Sequence, residues 1–370
     1  LELDKRQLSP CRQACPLGVN AQAYLALTAA GRYAEALGVI RRDNPLPGVC
    51  GYICSHPCES ACRRAELDEP LAIRDIKRFL FDYEAEEGPA ALPSPATPRR
   101  GLRVAVVGSG PAGLAAAHFL NQDGFDVTIF EALDQAGGML RVGINAFRLP
   151  RPVLEAELAA LVASGVALRT GQRVDSAQAL LDQGFAAVLI ASGTPTDLRL
   201  NLPGEDLAGV EHCVDFLARM NLGGAVAVGP RTLIIGGGNS AMDAARSALR
   251  LGAKQVTVLA IETEDHLPAA PQEVTEAREE GVVFRLGCAP IRIVGQERVE
   301  EVIFRAAHWE FPADAPPRIV FDADAEESLE ADSVIVAISQ RPNLADSPLG
   351  AELDLGRGGR LNVDPDQATS

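Results

Sequence analysis

The sequence predicts an α/β fold with two Rossmann-like nucleotide-binding domains, preceded by a small α-helical domain. Three observations carry the prediction. From Leu102 onward, short β-branched runs alternate with helical runs, as α/β units do. Two of those strands run into glycine-rich turns that open helices, at Gly108 and at Gly236. Ahead of both lies a segment of helical periodicity that holds six of the chain's eight cysteines within its first 62 residues.

Composition excludes several classes. A hydrophobic content of 47% with 23% charged residues is that of a soluble globular protein. The formal net charge of −16 argues against a nucleic-acid partner, because phosphate binding needs clustered Lys and Arg. No apolar run reaches the roughly 18 residues that cross a bilayer, and the first residues lack the zones of a secretory signal. The reading is a cytoplasmic protein without a membrane span.

In the first domain, residues 1–87, two helices are expected over residues 19–43. The first opens at Asn20 as N-cap and carries Tyr24 and Leu27 on one face. The second carries Tyr33, Leu37 and Ile40 and stops at Asn44-Pro45. A further helix near residues 71–84 places Ile73, Ile76, Leu80 and Tyr83 on one stripe. The cysteine segments, 11–15 and 50–62, are expected outside these helices, in irregular backbone that can wrap a cofactor. Residues 88–101 hold four prolines in fourteen positions and read as a linker.

The first nucleotide unit is expected to contain strands at Val104–Val107, Val127–Phe130 and Val188–Ala191. Its fingerprint is Gly108-x-Gly110-x-x-Gly113, with Glu131 at the tip of the next strand, 23 residues after Gly108. The first glycine makes the tight turn, the second lets backbone approach a pyrophosphate, and the third lets helix and strand pack closely. The helix N-terminus offers free N–H groups to the phosphates, and the carboxylate can accept ribose hydroxyls. Gly108, Ser109, Gly110, Pro111, Ala112, Gly113 and Glu131 are therefore candidate cofactor contacts. The glycine pair 137–138 and the segment MLRVGINAFRLPR follow, which suits a chain curling around a flavin; Gly138, Leu140, Arg148 and, farther on, Val174 join the candidates.

The second unit repeats the logic, with strands at Leu233–Ile235 and Val256–Leu259; a further apolar strand is expected at Val334–Ile338. Its turn is Gly236, Gly237, Gly238, Asn239, Ser240 and Ala241, the alanine being small enough for the third glycine's place. NADP needs an Arg for its 2′-phosphate, whereas a carboxylate suits the 2′-hydroxyl of NAD. Here the strand tip reads Ala260-Ile261-Glu262-Thr263-Glu264-Asp265, so Glu262 predicts NAD(H) over NADP(H). Asp243 and Arg246, one turn apart on the helix, read as a structural ion pair or cap.

Cysteines heading a long chain without an export signal read as metal ligands rather than disulfides. Cys11, Cys15, Cys50, Cys54, Cys58 and Cys62 supply six thiolates, enough for one four-iron cluster with two spare, or for two clusters completed by other groups. Zinc is the alternative occupant. Cys213 and Cys288 stand alone and read as ordinary thiols, so a dithiol mechanism is not expected. A hydride carries two electrons and a cluster takes one at a time, and a flavin can exchange both, so no general base is expected.

The stretches CRQACPLGVN, IRRDNPLPGVCGYICSHPCESACRR, LAIRDIKRF, VVGSGPAGLAAA, GGMLRVGINAFRLPR, IIGGGNSAMDAAR and AISQRPN span residues 11–343. Through them the chain resembles the glutamate synthase small-subunit family, which includes the amino-terminal half of dihydropyrimidine dehydrogenase. The architecture is similar to that of flavoprotein disulfide reductases. The resemblance implies FAD, NAD(H) and [4Fe-4S] cofactors, and a hetero-oligomer that passes electrons between NAD(P)H and a partner protein, a catalytic large subunit or a ferredoxin. It also implies an NAD(P)-binding domain, residues 226–324, inserted between two parts of a FAD-binding domain, 102–225 and 325–370.

Four departures from the family pattern stand out. A Cys-x-x-Cys ahead of Cys11 is missing, and Lys77 aligns with a non-cysteine cluster ligand that a lysine cannot replace. Ile261-Glu262 replace paired arginines, and the sequence stops short of a Gly-Asp flavin motif, so the chain is expected to be incomplete at its end. Two rival readings are a stand-alone ferredoxin–NAD(P) reductase and a non-catalytic docking or regulatory subunit.

Overall fold

The computed structural model describes residues 8–87, 97–312, 316–322, 324–365 and 368–369. Most of the expected linker lies outside them. The first domain contains helices α1 (Pro10–Ala14), α2 (Ala21–Ala29), α3 (Tyr33–Arg41), α4 (Pro47–Ile53), α5 (Pro57–Ser60) and α6 (Ile73–Glu87). Asn20 caps α2, its side chain accepting the Ala23 N–H at 3.2 Å. Ile73 and Leu80 of the α6 stripe are buried with Tyr24, Leu37 and Ile40. Tyr83 stays at the surface, its ring 4.9 Å edge-on from Tyr33.

Cys15, Cys54 and Cys62 lie in irregular backbone as expected, and the other three correct that expectation. Cys11 lies in α1, Cys50 in α4 and Cys58 in α5. Each of these helices has a proline in its first turn, where the missing N–H costs nothing and the fixed φ favours entry into the helix. α4 packs unusually close to α6. A Cβ added at Gly51 would stand 2.9 Å from the Arg78 Cα, and one at Gly48 would strike the Phe81 ring at 2.7 Å.

The first nucleotide unit runs β1 (Arg103–Val107), α7 (Pro111–Gln122), β2 (Asp126–Phe130), α8 (Met139–Val142), α9 (Arg151–Ala163), β3 (Ala167–Arg169), α10 (Ala177–Asp182) and β4 (Ala187–Ile190). Its sheet is parallel in the order β3-β2-β1-β4. After β5 (Thr196–Asp197) come β6 (Val210–His212), α11 (Cys213–Asn221), β7 (Arg231–Ile235), α12 (Asn239–Arg250), β8 (Gln255–Ala260), α13 (Pro271–Glu279) and β9 (Val283–Leu286). β10 (Cys288–Val294), β11 (Glu301–Glu310), β12 (Arg318–Phe321) and β13 (Glu327–Glu330) form an antiparallel layer; β14 (Ser333–Val336) and β15 (Gln340–Arg341) follow.

The second sheet is parallel in the order β6-β14-β7-β8-β9. This moves the expected boundaries at 225 and 325 outward. β6 and β14, assigned from the sequence to the first unit, belong to the second sheet, because β14 pairs with β7 and β6 with β14. The chain crosses between the units on β5 and β15, which pair antiparallel. It then returns Leu344 and Leu349 to the core beside Val107 and Phe130.

Buried polar contacts fasten the parts together. Glu157 of α9, 4% exposed, accepts the Gly48 N–H at the start of α4 at 2.5 Å. Asp243 of α12 does not pair with Arg246, contrary to expectation. It accepts from Asn145 at 3.1 Å and from Arg148 at 2.6 Å, both in the first unit. Arg246 instead reaches Glu273, Glu276 and Glu280 in and beside α13. The side chains point away from each other because each faces a different neighbouring element.

Burial raises the Glu157 carboxyl from 4.5 to about 7, against the Gly48 and Val49 N–H groups, which favour its charged form. A carboxyl that keeps its proton longer in the folded state makes that state less stable as pH rises from the unfolded value through the folded one. The thermal midpoint is therefore expected to fall between pH 4.5 and about 7, and Glu157→Gln to flatten that slope. Glu157→Ala, which leaves the Gly48 N–H unpaired, is expected to cost about 1–3 kcal/mol in denaturant titration.

Candidate functional site

The first cradle lies at the carboxyl ends of β1, β2 and β4. A Cβ at Gly108 would stand 2.4 Å from the Ala191 carbonyl oxygen, and one at Gly113 would stand 2.0 Å from that of Gly108. Side chains at either place are excluded by backbone. At Gly110 nothing lies within 4 Å of an added Cβ; that space opens into a cavity of about 360 Å³ walled by the Gly108–Ala112 turn, Glu131, Gly138, Val174, residues 191–195 and Asn343. α7 starts there with no side-chain cap, leaving N–H groups to meet an anion. A pyrophosphate fits this donor set.

Glu131 is held at the cavity rim. Its carboxylate accepts the Ser109 N–H at 3.0 Å and the Ser109 hydroxyl at 2.5 Å on one oxygen, and the Leu133 N–H at 2.9 Å on the other. The Ser109 Oγ in turn accepts the Gly137 N–H at 2.9 Å. This draws in Gly138, whose φ of +51° and close approach to Gly110 admit no side chain.

The second cradle repeats the construction at its first two glycines. A Cβ at Gly236 would stand 2.3 Å from the Ala337 carbonyl oxygen, and Gly238 again has open space. The N–H groups of Gly108 and Gly236 reach the Phe130 and Leu259 carbonyls at 2.8 and 2.9 Å. Ala241 is fully buried in the third place. The cavity is larger, about 540 Å³, and is lined by residues 236–240, 259–262, Asp197, Cys213, Cys288, Trp309, Ile319 and residues 337–340. The Trp309 indole N–H donates to the Glu262 carboxylate at 3.4 Å.

In the helical domain all six cysteines are free thiols. Cys11, Cys15 and Cys58 share one core with Tyr24 and Leu80. Burial pushes the Cys58 thiol up to about 11; the Lys77 ammonium draws it down, and Cys54 and Cys15 are close enough to raise it. Burial also raises Cys50, whose thiol donates to the Asn44 Oδ1 at 3.6 Å. The Cys54 sulfur accepts the His56 N–H at 3.3 Å. Among the described residues no three His, Cys, Asp or Glu side chains converge on a single metal ion. A four-iron cluster takes one thiolate at each iron and so holds its ligands farther apart than one ion does. The thiol-only donor set has the chemistry for it.

Most expected contacts line the cradles. Leu140 and Arg148 fall outside the first cavity: Leu140 is in the core against α9, and Arg148 bridges Asp243 and Glu273. Gly113 and Ala241 act by packing beneath the turns. Sequence reasoning missed residues 191–195 and 343–349 of the first cradle, and Trp309, Ile319 and Cys288 of the second. The SGTP run after β4 and the chain's single tryptophan were the available signals. Cys213 is buried, its thiol donating to the Ser240 carbonyl at 3.4 Å.

Residues 102–370 match the family described as pyridine nucleotide-disulphide oxidoreductase, and residues 6–89 match dihydropyrimidine dehydrogenase domain II, 4Fe-4S cluster. The beta subunit of the NADP(+)-dependent formate dehydrogenase of Moorella thermoacetica is 38% identical over 384 residues, 96% of this chain and 54% of the relative. The NAD-dependent dihydropyrimidine dehydrogenase subunit PreT of Escherichia coli is 35% identical over 341 residues, 91% of this chain and 77% of the relative. The chain thus spans about half the length of the first relative and most of the second. Among solved structures, FprA of Mycobacterium tuberculosis superposes with a TM-score of 0.57 at 19% identity, over 72% of this chain and 74% of that one.

The open space at Gly110 predicts the outcome of filling it. Gly110→Val is expected to give folded but colourless protein, with circular dichroism unchanged and the flavin band near 450 nm lost. Full flavin occupancy in that variant would contradict the assignment of this cradle.

Proposed function

We propose, from the premise that the chain belongs to the pyridine nucleotide-disulphide oxidoreductase family, that it is the electron-input part of an iron-sulfur oxidoreductase, passing electrons between NAD(P)H and a partner protein. The observation that carries the proposal is the buried attachment of a six-thiol helical domain to the unit that holds the first cradle. Two nucleotide cradles alone would serve many flavin reductases. A thiol domain fixed against one of them supplies a one-electron exit.

Bound FAD supplies the exchange between a two-electron hydride and single electrons. The chain's own residues place the reactants. The turn around Gly110 and the N-terminus of α7 hold a pyrophosphate, and Glu131 presents a carboxylate to the adenosine ribose. The turn around Gly238 does the same for the nicotinamide nucleotide, with Glu262 at the corresponding strand tip. Cys11, Cys15, Cys54, Cys58 and Cys62 are the candidate cluster ligands, with Cys50 turned toward Asn44. The helical domain faces the partner, either a catalytic subunit or a ferredoxin, in a hetero-oligomer. The formate dehydrogenase relative is itself a beta subunit.

NADH is the favoured donor in this reading. No Lys or Arg lines the second cavity among the described residues, whereas Glu262 does, and a 2′-phosphate beside that carboxylate would be repelled. The named relatives include both an NADP(+)-dependent and an NAD-dependent enzyme, so the reading rests on the local charge. NADH is expected to exceed NADPH in kcat/KM by about tenfold or more, and the pair Ile261→Arg with Glu262→Arg to shift the preference toward NADPH. A tenfold preference of the wild type for NADPH would overturn the assignment.

The exit route has its own test. Cys54→Ala and Cys58→Ala are expected to lower iron and acid-labile sulfide and to abolish reduction of a ferredoxin, while NADH still bleaches the flavin. Cys50→Ala is expected to be the mildest of the cysteine variants. Zinc without sulfide in anaerobically purified protein, or normal transfer by the Cys54 and Cys58 variants, would remove the relay from the proposal.

A further inference from the structure

Strand β11 carries the chain's single tryptophan, Trp309. It stands opposite Ile319 of β12, and Ala307 stands opposite Phe321. Opposed residues of an antiparallel pair share a face, as do alternate residues along a strand. Ala307, Trp309, Ile319 and Phe321 therefore make one apolar face of this two-stranded arm. The other face is polar and satisfied within itself, with His308 on Asp322 at 2.6 Å and Arg318 on Glu310 at 2.5 Å.

The apolar face is turned to the second cavity, which Trp309 and Ile319 line. Trp309 belongs to neither core of the second unit and is 38% exposed, although an indole buries a large area wherever a core takes it up. A large aromatic left out of the core, on the wall of a cavity of about 540 Å³, points to an occupant of that cavity.

Two contacts fix which part of an occupant it meets. The indole N–H donates to the Glu262 carboxylate at 3.4 Å, and the other oxygen of that carboxylate lies 3.0 Å from where a Cβ on Gly237 would stand. Glu262 is thus held between the glycine turn and the indole. Backbone ties them together, for Gly287 donates to the Glu262 carbonyl at 3.0 Å and Ala307 to the Gly287 carbonyl at 2.9 Å. An acid at this strand tip takes a hydroxyl of the adenosine ribose, so the base on that ribose is the group beside the indole. The nicotinamide belongs at the other end of the cavity, where Asp197 of β5 and Gln340 of β15 lead to the first unit.

We infer that Trp309 is the adenine platform of the second cradle: its indole stacks on the adenine ring and sets the affinity for the whole dinucleotide over its nicotinamide half. The inference rests on the reading of the second cradle as the nicotinamide-nucleotide site. It does not depend on the choice between NADH and NADPH, because the ring contact is with the base and not with the 2′ position. Hydride leaves from the far end of the nucleotide, so Trp309 acts on binding and not on the rate of flavin reduction.

The test uses the full, FAD-bound chain and compares Trp309→Ala with Trp309→Phe, which keeps a ring face and lacks the N–H. Calorimetry with ADP-ribose, the nucleotide without its nicotinamide, reads binding alone. Anaerobic flavin bleaching by NADH and by reduced nicotinamide mononucleotide, which lacks the adenosine half, reads the two ends separately. Trp309→Ala is expected to weaken ADP-ribose and NADH by about tenfold or more, with the limiting bleaching rate and the response to the mononucleotide unchanged. Trp309→Phe is expected to stay within about threefold of wild type. Trp309→Leu, which keeps apolar bulk without a ring, takes the place of the alanine variant if circular dichroism shows that one unfolded. The inference is overturned by ADP-ribose affinity within about threefold of wild type in the variant without a ring, by a loss in Trp309→Phe as large as in that variant, or by an equal loss for the mononucleotide. Wild-type protein that binds no ADP-ribose and is bleached by neither NADH nor NADPH would instead overturn the nucleotide reading of the cradle, and the inference with it.

Discussion

The seating of the thiol domain depends on the lodging of α4 between α6 and α9. Two glycines let α4 approach α6 until backbone nearly meets backbone, and one buried carboxylate from the first nucleotide unit accepts an N–H at the start of α4. The glycines set the distance and the carboxylate sets the orientation. A helix start buried without an acceptor would leave donors unpaired at a cost of about 1–3 kcal/mol each. Glu157 thereby makes the seating of the thiol domain specific rather than merely hydrophobic. The same helix carries Cys50 and delivers the chain to Cys54, so the contact that seats the domain also places the start of the electron exit.

Both cradles are built from backbone. Their first glycines lie under carbonyl oxygens of the neighbouring strand, at Ala191 and Ala337, and their second glycines face open space. At the strand tips each cradle receives a carboxylate, Glu131 in the first and Glu262 in the second. The first is fixed by three short hydrogen bonds from its own turn; the second has one long contact to an indole on β11. The antiparallel layer beyond β9 adds Trp309 and Ile319 to the second cavity.

Much of this was legible in the residues. Apolar runs located the strands, because a parallel strand is buried on both faces, and 3.6-residue periods located the longer helices, which bury one face. The glycine turns announced themselves because only glycine fits where a Cβ would enter a carbonyl oxygen. What could not be read was pairing. Nothing local marks β6 and β14 as neighbours of β7, since a short apolar strand looks the same in either sheet. Asp243 and Arg246 are one turn apart, which suggests a pair, yet their true partners lie 95 and 27 or more residues away. The short cysteine helices were hidden by their length, although a proline in the first turn of each was a usable sign.

The two attachments of the first nucleotide unit differ in kind. The thiol domain is held by close packing and the buried Glu157, and the second unit is joined through the two-residue strands β5 and β15, through α8 against α11, and through the polar group of Asn145, Arg148 and Asp243. Arg148 spans Asp243 and Glu273 at that junction, and Arg74 reaches across from the thiol domain to Gln272 at 2.9 Å. Polar groups at such a junction can be re-solvated when it opens, so they resist displacement less than a packed core does. Transfer from flavin to thiol-bound iron demands a fixed separation. Nicotinamide must be admitted and released at each turnover. In the proposed function the packed contact at Gly48 and Gly51 would serve the electron-transfer side of the first unit, and the more polar contacts of Asn145, Arg148 and Asp243 the hydride side.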